Sequence, residues 1–303
     1  MMVKHFLSLE DFEPEEILNL LERAEKLKAM WHTQHLCPQI MRNRSIALMF
    51  EKESTRTRLS FEVAAYQFGG NALFFSPGDS QLKRGESAED TARILSGMVD
   101  VIVTRTGSHQ TVKTYAEHAT VPVINGLSDA YHPCQLLADL LTMKEAIGFI
   151  QEAQVAWIGD GNNMCVTWAS AASLLGFDLK IATPENYRPN LAELLTQLDD
   201  SRVEFVSTAN EAAKNANVVV TDTWLSMGQD DNAGDRPKAF QSFQVNDDVM
   251  ERAASGAIFM HCLPAYRGKE VSASVLDGPQ SVVWQEAENR LHAQKALIEK
   301  LLV

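Results

Sequence analysis

Short apolar runs rich in β-branched residues recur along this chain, and longer amphipathic stretches separate them. The runs are Ser45–Phe50 (SIALMF), Ala72–Phe75, Val101–Thr104 and Val121–Ile124, then Val155–Ile158 (VAWI), Leu179–Ala182, Val203–Val206, Val218–Thr221, Ala257–Met260 and Val282–Trp284. Helical spacing fills Thr55–Phe68, Glu86–Met98, Thr111–His118, Pro133–Ile147, Asn163–Leu175 and Ala287–Leu302. A strand that is apolar throughout is buried on both faces, and strands alternating with helices build parallel sheets covered by those helices. So many strands exceed one regular sheet. The reading is α/β, with two doubly wound domains, each a mostly parallel sheet flanked by helices. One is expected over 1–140, joined by the C-terminal helix 287–303. The other is expected over 141–286, with the join near the Pro133–Ile147 helix.

Parallel sheets bind ligands beyond the carboxyl ends of their strands, so the residues that follow each run carry the functional information. After the first run stands FEKESTRTRLSF, Phe50–Phe61. Ser54 is a suitable helix N-cap. The N–H groups and dipole of a helix start attract anions. Thr55 and Thr57 add hydroxyl donors, and Arg56 adds a planar fork suited to phosphate oxygens. The stretch lacks the G-x-x-x-x-G-K-[ST] pattern of a P-loop. The formal charge of −13 and pI near 5.1 argue against a general nucleic-acid binder, so such a local cluster points to a small anion. Arg105, in VTRTG, closes the third run. His132 and Gln135, in HPCQ, open a helix three residues apart, on one face of its first turn.

The second half offers a different set. WIGDGNNM follows a strand and opens a helix, but Met164 holds the third glycine position of a dinucleotide fingerprint. No acid follows at the required distance either, since the next strand ends in Ala182-Thr183-Pro184. Asn163 is read instead as a hydrogen-bonding group for a polar ligand. TDTWLSMGQ supplies Asp222, Ser226 and Met227, and HCLP supplies Cys262. A carboxylate at a strand end needs donors or a cation when buried. The four cysteines form no C-x-x-C pair and are read as reduced thiols of a cytoplasmic protein. The N-terminal MMVKHFLSLEDF is too acidic for a signal peptide, and no run reaches the length of a membrane span.

Taken in order, FEKESTRTRLSF, VTRT, HPCQ, DTWLSMG and HCLPAYRGKEV resemble the aspartate/ornithine carbamoyltransferases, over nearly the whole chain from Lys4 onward. The S-M-G loop, H-C-L-P and the EAENRLHAQKA tail look like the ornithine branch. The resemblance implies a carbamoyl phosphate site built from Ser54, Thr55, Arg56, Thr57, Arg105, His132, Gln135 and Arg290. Backbone carbonyls at Cys262 and Leu263 would aim at the carbamoyl amide, with a cis bond before Pro264. It implies an ornithine site of Asn163, Asp222, Ser226 and Met227. Arg56, Arg105, His132, Asp222 and Cys262 would carry the catalysis. Members are trimers or assemblies of trimers, with sites at subunit interfaces. A neighbour's Gln81 would reach in from SPGDSQLKRGES, where this chain departs from the family pattern by having Lys83 in place of a glycine.

The reaction so implied transfers the carbamoyl group of carbamoyl phosphate to the side-chain amine of L-ornithine, in arginine biosynthesis, and gives L-citrulline and phosphate. It calls for no metal or organic cofactor, because phosphate is already a good leaving group. Closure of two domains over the substrates is the expected motion. Competing readings are transfer to another amine, a nicotinamide-dependent oxidoreductase, and a binding subunit without turnover. No nucleic-acid or membrane partner is expected.

Overall fold

The structure is a computed structural model and describes residues 3–76, 85–191, 200–225 and 235–303. The chain divides into two compact units, Met1–Leu141 with Glu288–Val303, and Thr142–Ala287. The division falls inside the helix Pro133–Ile147.

The first unit holds a four-stranded parallel sheet in the order β2-β1-β3-β4. The strands are β1 Ser45–Phe50, β2 Asn71–Phe75, β3 Val101–Arg105 and β4 Val123–Leu127. Ile46, Leu48, Val101 and Val103 are fully buried, and so are Ala47 and Ile102 on the opposite face. Residues of both parities are therefore inside, as a parallel sheet covered on both sides requires. Helices α3 (Ala88–Ser96) and α4 (His109–His118) cover one face, with Leu95 and Tyr115 packed among Ala47, Met49 and Ile102.

The N-terminal segment extends the sheet. Phe6 donates to the Val123 carbonyl at 2.9 Å, and Asn125 N–H donates back to Phe6 at 2.8 Å. Helix α1 (Pro14–Gln34) starts with a proline and a capping box between Glu13 and Glu16, and it buries Ile17, Leu20, Leu21, Ala24 and Leu27. It is absent from the elements predicted above, although the i, i+3, i+4 spacing and the N1 proline were both present.

The second unit holds a five-stranded parallel sheet in the order β7-β6-β5-β8-β9. Its strands are β5 Gln154–Ile158, β6 Asp178–Ala182, β7 Val203–Val206, β8 Val218–Thr221 and β9 Ile258–His261. Its core joins Ala156, Ile158, Val219 and Phe259 to Ala212, Val245, Val249 and Leu276 from the covering segments. The tenth predicted strand, Val282–Trp284, does not form. Only Ser281 bridges to Phe259, and Glu286 N–H already donates to the Val282 carbonyl at 2.9 Å, so the C-terminal helix runs over Val283–Leu302. Two valines followed by a long run of good helix formers cannot hold an extended edge. The fourth strand also lies later than predicted, at Val123–Leu127. Among the described residues, no helix is long and apolar enough to cross a membrane.

Strand order reverses between β1 and β3 in the first sheet and between β5 and β8 in the second. Connections leave in opposite directions there and open a crevice at the carboxyl ends. Both crevices are built on strands buried on each face, which makes the fold sensitive to cavities beneath them. Leu48, wholly buried in β1, is a direct test: Leu48→Ala should lower stability by about 2–5 kcal/mol. Urea titration should show a lower midpoint with an unchanged slope.

Candidate active site

In the first unit, β1 delivers the chain into helix α2 (Thr55–Gln67), with Ser54 as N-cap. Ser54 Oγ accepts from Thr57 N–H at 3.2 Å. That bond turns Thr57 inward, where it is 1% exposed. Thr57 Oγ1 then accepts from two guanidiniums: Arg290 Nη2 at 3.1 Å, and Arg105 Nη1 in a longer contact of 3.5 Å. Arg290 Nη1 also donates to Gln135 Oε1 at 2.6 Å, and Gln135 Nε2 donates to Asp139 at 2.8 Å. Arg105 and Arg290 are 3% and 2% exposed, so these cations lie inside the unit rather than on its surface. Arg56 is half-buried and Thr55 exposed. Arg58 turns away, pairs with Glu62 at 2.8 Å and lies over the Phe74 ring.

The strand ends are fastened to one another. Glu51 N–H donates to the Arg105 carbonyl at 2.8 Å, and the Glu51 carboxylate accepts from the Thr106 hydroxyl at 2.5 Å and Gly107 N–H at 3.2 Å. Pairing between β3 and β4 slips at Thr104/Arg105, at the point where the Arg105 side chain enters the site. At the start of the following helix α5 (Pro133–Ile147), the carbonyl of the buried His132 accepts from Gln135 N–H at 3.1 Å and Leu136 N–H at 3.3 Å. Burial first, then the charges of Arg290, Arg105 and Arg56, hold its pKa well below the ordinary imidazole value of 6.5. The ring is therefore neutral at physiological pH.

The second unit carries the opposite charge. Asp222, just beyond β8, has its carboxylate fixed from three sides. Asn162 Nδ2 donates at 2.7 Å, the Cys262 thiol at 3.2 Å, and Thr223 N–H at 2.7 Å. Asn162 is also the N-cap of helix α6 (Asn163–Leu175), accepting from Met164 and Cys165 N–H. Asp160 pairs with Arg236 at 2.5 Å. Burial lifts its pKa to about 6, with Arg236 opposing and Asp222 adding to the rise.

Two glycines make this crevice possible. Gly159 sits at φ 139°, where an added Cβ would lie 3.1 Å from Thr221 Oγ1. A Cβ on Gly161 would strike the Tyr187 carbonyl and the Pro189 ring. The glycines that suggest a dinucleotide motif thus serve close backbone packing. Leu263, at φ 58°, follows Cys262, and the Leu263–Pro264 bond is cis.

Of the residues singled out in the sequence, Ser54, Thr57, Arg105, Gln135 and Arg290 form one hydrogen-bonded set, and Arg56 and His132 are coupled to it by charge. Asp222 and Cys262 form a second set in the other unit. The bond to Asp222 comes from Asn162, one residue before the predicted Asn163. Gln81, Ser226 and Met227 lie outside the described residues. Asn162, Asp160 and Arg236 were not predicted. Asn162 carried a usable signal, an asparagine directly before a helix start. Asp222, His261 and Cys262 bring possible metal-ligating atoms within 4.8 Å of one another. The imidazole there is already engaged, since Nδ1 accepts from Leu263 N–H at 2.8 Å and Nε2 faces Glu270 at 3.4 Å.

A doubly wound unit with buried guanidiniums at its switch point, and a second with a fixed carboxylate at its own, define an α/β protein that can bind a small anion and a small cationic or polar molecule. Comparison with known proteins sharpens that class. The family described as "Aspartate/ornithine carbamoyltransferase, carbamoyl-P binding domain" matches residues 4–145, and "Aspartate/ornithine carbamoyltransferase, Asp/Orn binding domain" matches 151–301. The ornithine carbamoyltransferase of Halorhodospira halophila is 54% identical over 301 residues, covering 99% of each chain. That of Nitrosococcus oceani is 53% identical, covering 100% of this chain and 99% of its own. Solved ornithine carbamoyltransferases from Burkholderia thailandensis (46% identity, TM-score 0.90, 99% of each chain) and Pyrococcus furiosus (45%, 0.92, 97% and 96%) share the fold. So does the enzyme of Campylobacter jejuni described as anabolic (42%, 0.91, 98% of each). The chain belongs to the aspartate/ornithine carbamoyltransferase family.

His132 gives this site a pH signature. An unfolded chain protonates it below about pH 6.5, whereas the native site does not until a much lower pH. The unfolded state therefore binds more protons below pH 6.5, and stability falls as pH drops, by at most about 1.4 kcal/mol per pH unit for this group. His132→Asn should flatten the decline between pH 6.5 and 5, measured by urea midpoints. An equal decline in both proteins would mean that native His132 takes up its proton in that range.

Proposed function

We propose that the chain is an ornithine carbamoyltransferase that makes L-citrulline and phosphate from carbamoyl phosphate and L-ornithine. The observation that carries this reading is the buried Thr57–Arg105–Arg290–Gln135 network. Thr57, Arg105 and Gln135 lie at a strand switch point in the region matched to the family's carbamoyl-P binding domain, and Arg290 joins them from the C-terminal helix. Full-length relatives named ornithine carbamoyltransferase support it.

Ser54, Thr55, Arg56 and Thr57, at the N-terminus of α2, offer hydroxyl, guanidinium and backbone donors to the phosphate. Arg105, His132 and Arg290 face the carbonyl oxygen, where negative charge develops as the amine attacks. Because His132 is held neutral, it acts as a hydrogen-bonding group rather than as a source of a full proton. Gln135, with the carbonyls at Cys262 and Leu263, orients the carbamoyl amide. Asp222, braced by Asn162 and Cys262, pairs with the ammonium of the amino acid, which Asn163, Ser226 and Met227 help to hold. No cofactor enters this scheme. Fixing both substrates in attack geometry, and donors aimed at the developing oxyanion, supply the rate.

The physiological direction is assigned as biosynthetic, toward arginine, in the cytoplasm. The anabolic relative and four free thiols support this assignment. A homotrimer, or an assembly of trimers, is assigned as the working form, with the partner's Gln81 completing each site. Leu59, Tyr66, Leu73, Ile94 and Met98, all exposed apolar residues of the first unit, support a subunit contact there.

An assay for ureido product, with ornithine, aspartate, putrescine and acetylornithine supplied separately, tests the reading. Product should form with ornithine alone. The neutral amine fraction rises about thirtyfold from pH 7 to 8.5, so rate at low ornithine should climb steeply over that range. Product with another amine would reassign the substrate. Arg56→Ala should cut kcat by roughly 10²–10³ and weaken carbamoyl phosphate binding. Asp222→Ala should raise the KM for ornithine while sparing carbamoyl phosphate binding. Equal loss of both ligands would point to a folding defect instead.

A further inference from the structure

We propose that His32, Glu288 and His292 form a second ligand site, a surface centre for a divalent transition metal such as zinc or nickel. It is built where α1 meets the C-terminal helix within the first unit. None of the three takes part in the chemistry above, and the inference does not depend on it.

The two helices are already fastened side by side. Arg23 pairs with Glu299 at 2.5 Å, Lys28 donates to Asn289 at 2.8 Å, and Lys300 meets Glu16 at 2.8 Å. His32, in the last turn of α1, places Nε2 2.8 Å from Glu288 Oε1. Glu288 and His292 are one helical turn apart, and His292 Nε2 lies 3.5 Å from the same carboxylate oxygen. The two imidazole rings are 5.7 Å apart between centres. One ligand atom from each residue falls within 4.8 Å of the others.

Those spacings suit a metal. With bonds of about 2.0–2.1 Å, neighbouring ligands of a tetrahedral zinc lie about 3.3 Å apart. The His292–Glu288 separation is near that value, and the His32–Glu288 pair must open by about half an ångström. His32 and Glu288 are exposed and can make that adjustment. The fourth position is left to water. Two imidazoles and one carboxylate select zinc, nickel or copper over magnesium, which demands oxygen ligands.

His292 is 1% exposed, and its Nε2 makes a long 3.5 Å contact to Glu288. A metal at Nε2 would replace that long contact with a direct bond. Glu288 and His292 flank Arg290 in the helix. A bound metal would brace to α1 the turn whose other side carries Arg290 to Thr57 and Gln135.

The test titrates the full-length protein with zinc chloride by calorimetry, in a Cys262→Ser background that removes the thiol of the Asp222–His261–Cys262 group as a competitor. One saturable equivalent per chain is expected, together with a rise in Tm, and neither with magnesium. His32→Gln and Glu288→Gln change exposed side chains and should fold normally. Each should weaken zinc binding at least about tenfold and abolish the Tm rise. Absence of saturable binding in the Cys262→Ser protein would overturn the proposal. So would zinc affinity in both variants equal to that background.

Discussion

Two buried guanidiniums converge on one threonine hydroxyl, and much of the first unit is arranged to make that convergence possible. Thr57 is turned inward by the Ser54 cap, Arg105 arrives where β3 and β4 slip register, and Arg290 comes from a helix far along the chain. Burying cations costs several kcal/mol each when nothing offsets them. Arginine is the residue that bears this best, being weakly hydrated and rich in directed donors. The strand order is what brings these groups together. With β1 and β3 adjacent, their carboxyl ends open side by side, and the Glu51 bridge to Thr106 and Gly107 keeps them aligned. A chain of net charge −13 thus concentrates positive charge at one interior point.

The second unit solves the inverse problem on the same architecture. Its switch point carries Asp160 and Asp222, braced by Arg236, Asn162 and the Cys262 thiol. The first crevice suits an anion, and the second suits an ammonium group. This difference of sign is a property of a few residues after the strands, not of the fold, since both sheets are parallel and both reverse order at a comparable place.

That division explains what could be read from sequence. Strands buried on both faces are nearly continuous apolar runs, so β1, β3, β5 and β8 stand out without any knowledge of their neighbours. Val282–Trp284 has the composition of a strand, but it meets β9 only at Val282, which donates to the Phe259 carbonyl at 3.0 Å before the helix begins at Val283; pairing is not written locally. Helix α1 is marked by local signals of its own, Pro14 at its first turn and the buried spacing from Ile17 to Leu27, which do not depend on any strand. The same limit governs the site. Ser54 to Thr57 are contiguous and speak for themselves, whereas Arg290 was reached only through family resemblance. The Asp160–Arg236 pair joins residues far apart in sequence, with no local pattern to announce it.

The G-D-G segment shows how one motif can carry two physical meanings. In a nucleotide-binding fold, such glycines let a phosphate approach free N–H groups at a helix start. Here Gly161 admits the Tyr187–Pro189 backbone, and Asn162 takes up the N–H groups of Met164 and Cys165. Asp160 and Asp222 stand beside the same helix end, where two carboxylates would repel a phosphate. The donors that would recognise an anion are satisfied within the protein, and the charge that remains is negative. The glycine spacing and the failed dinucleotide fingerprint are therefore both accounted for by packing and charge at the end of β5.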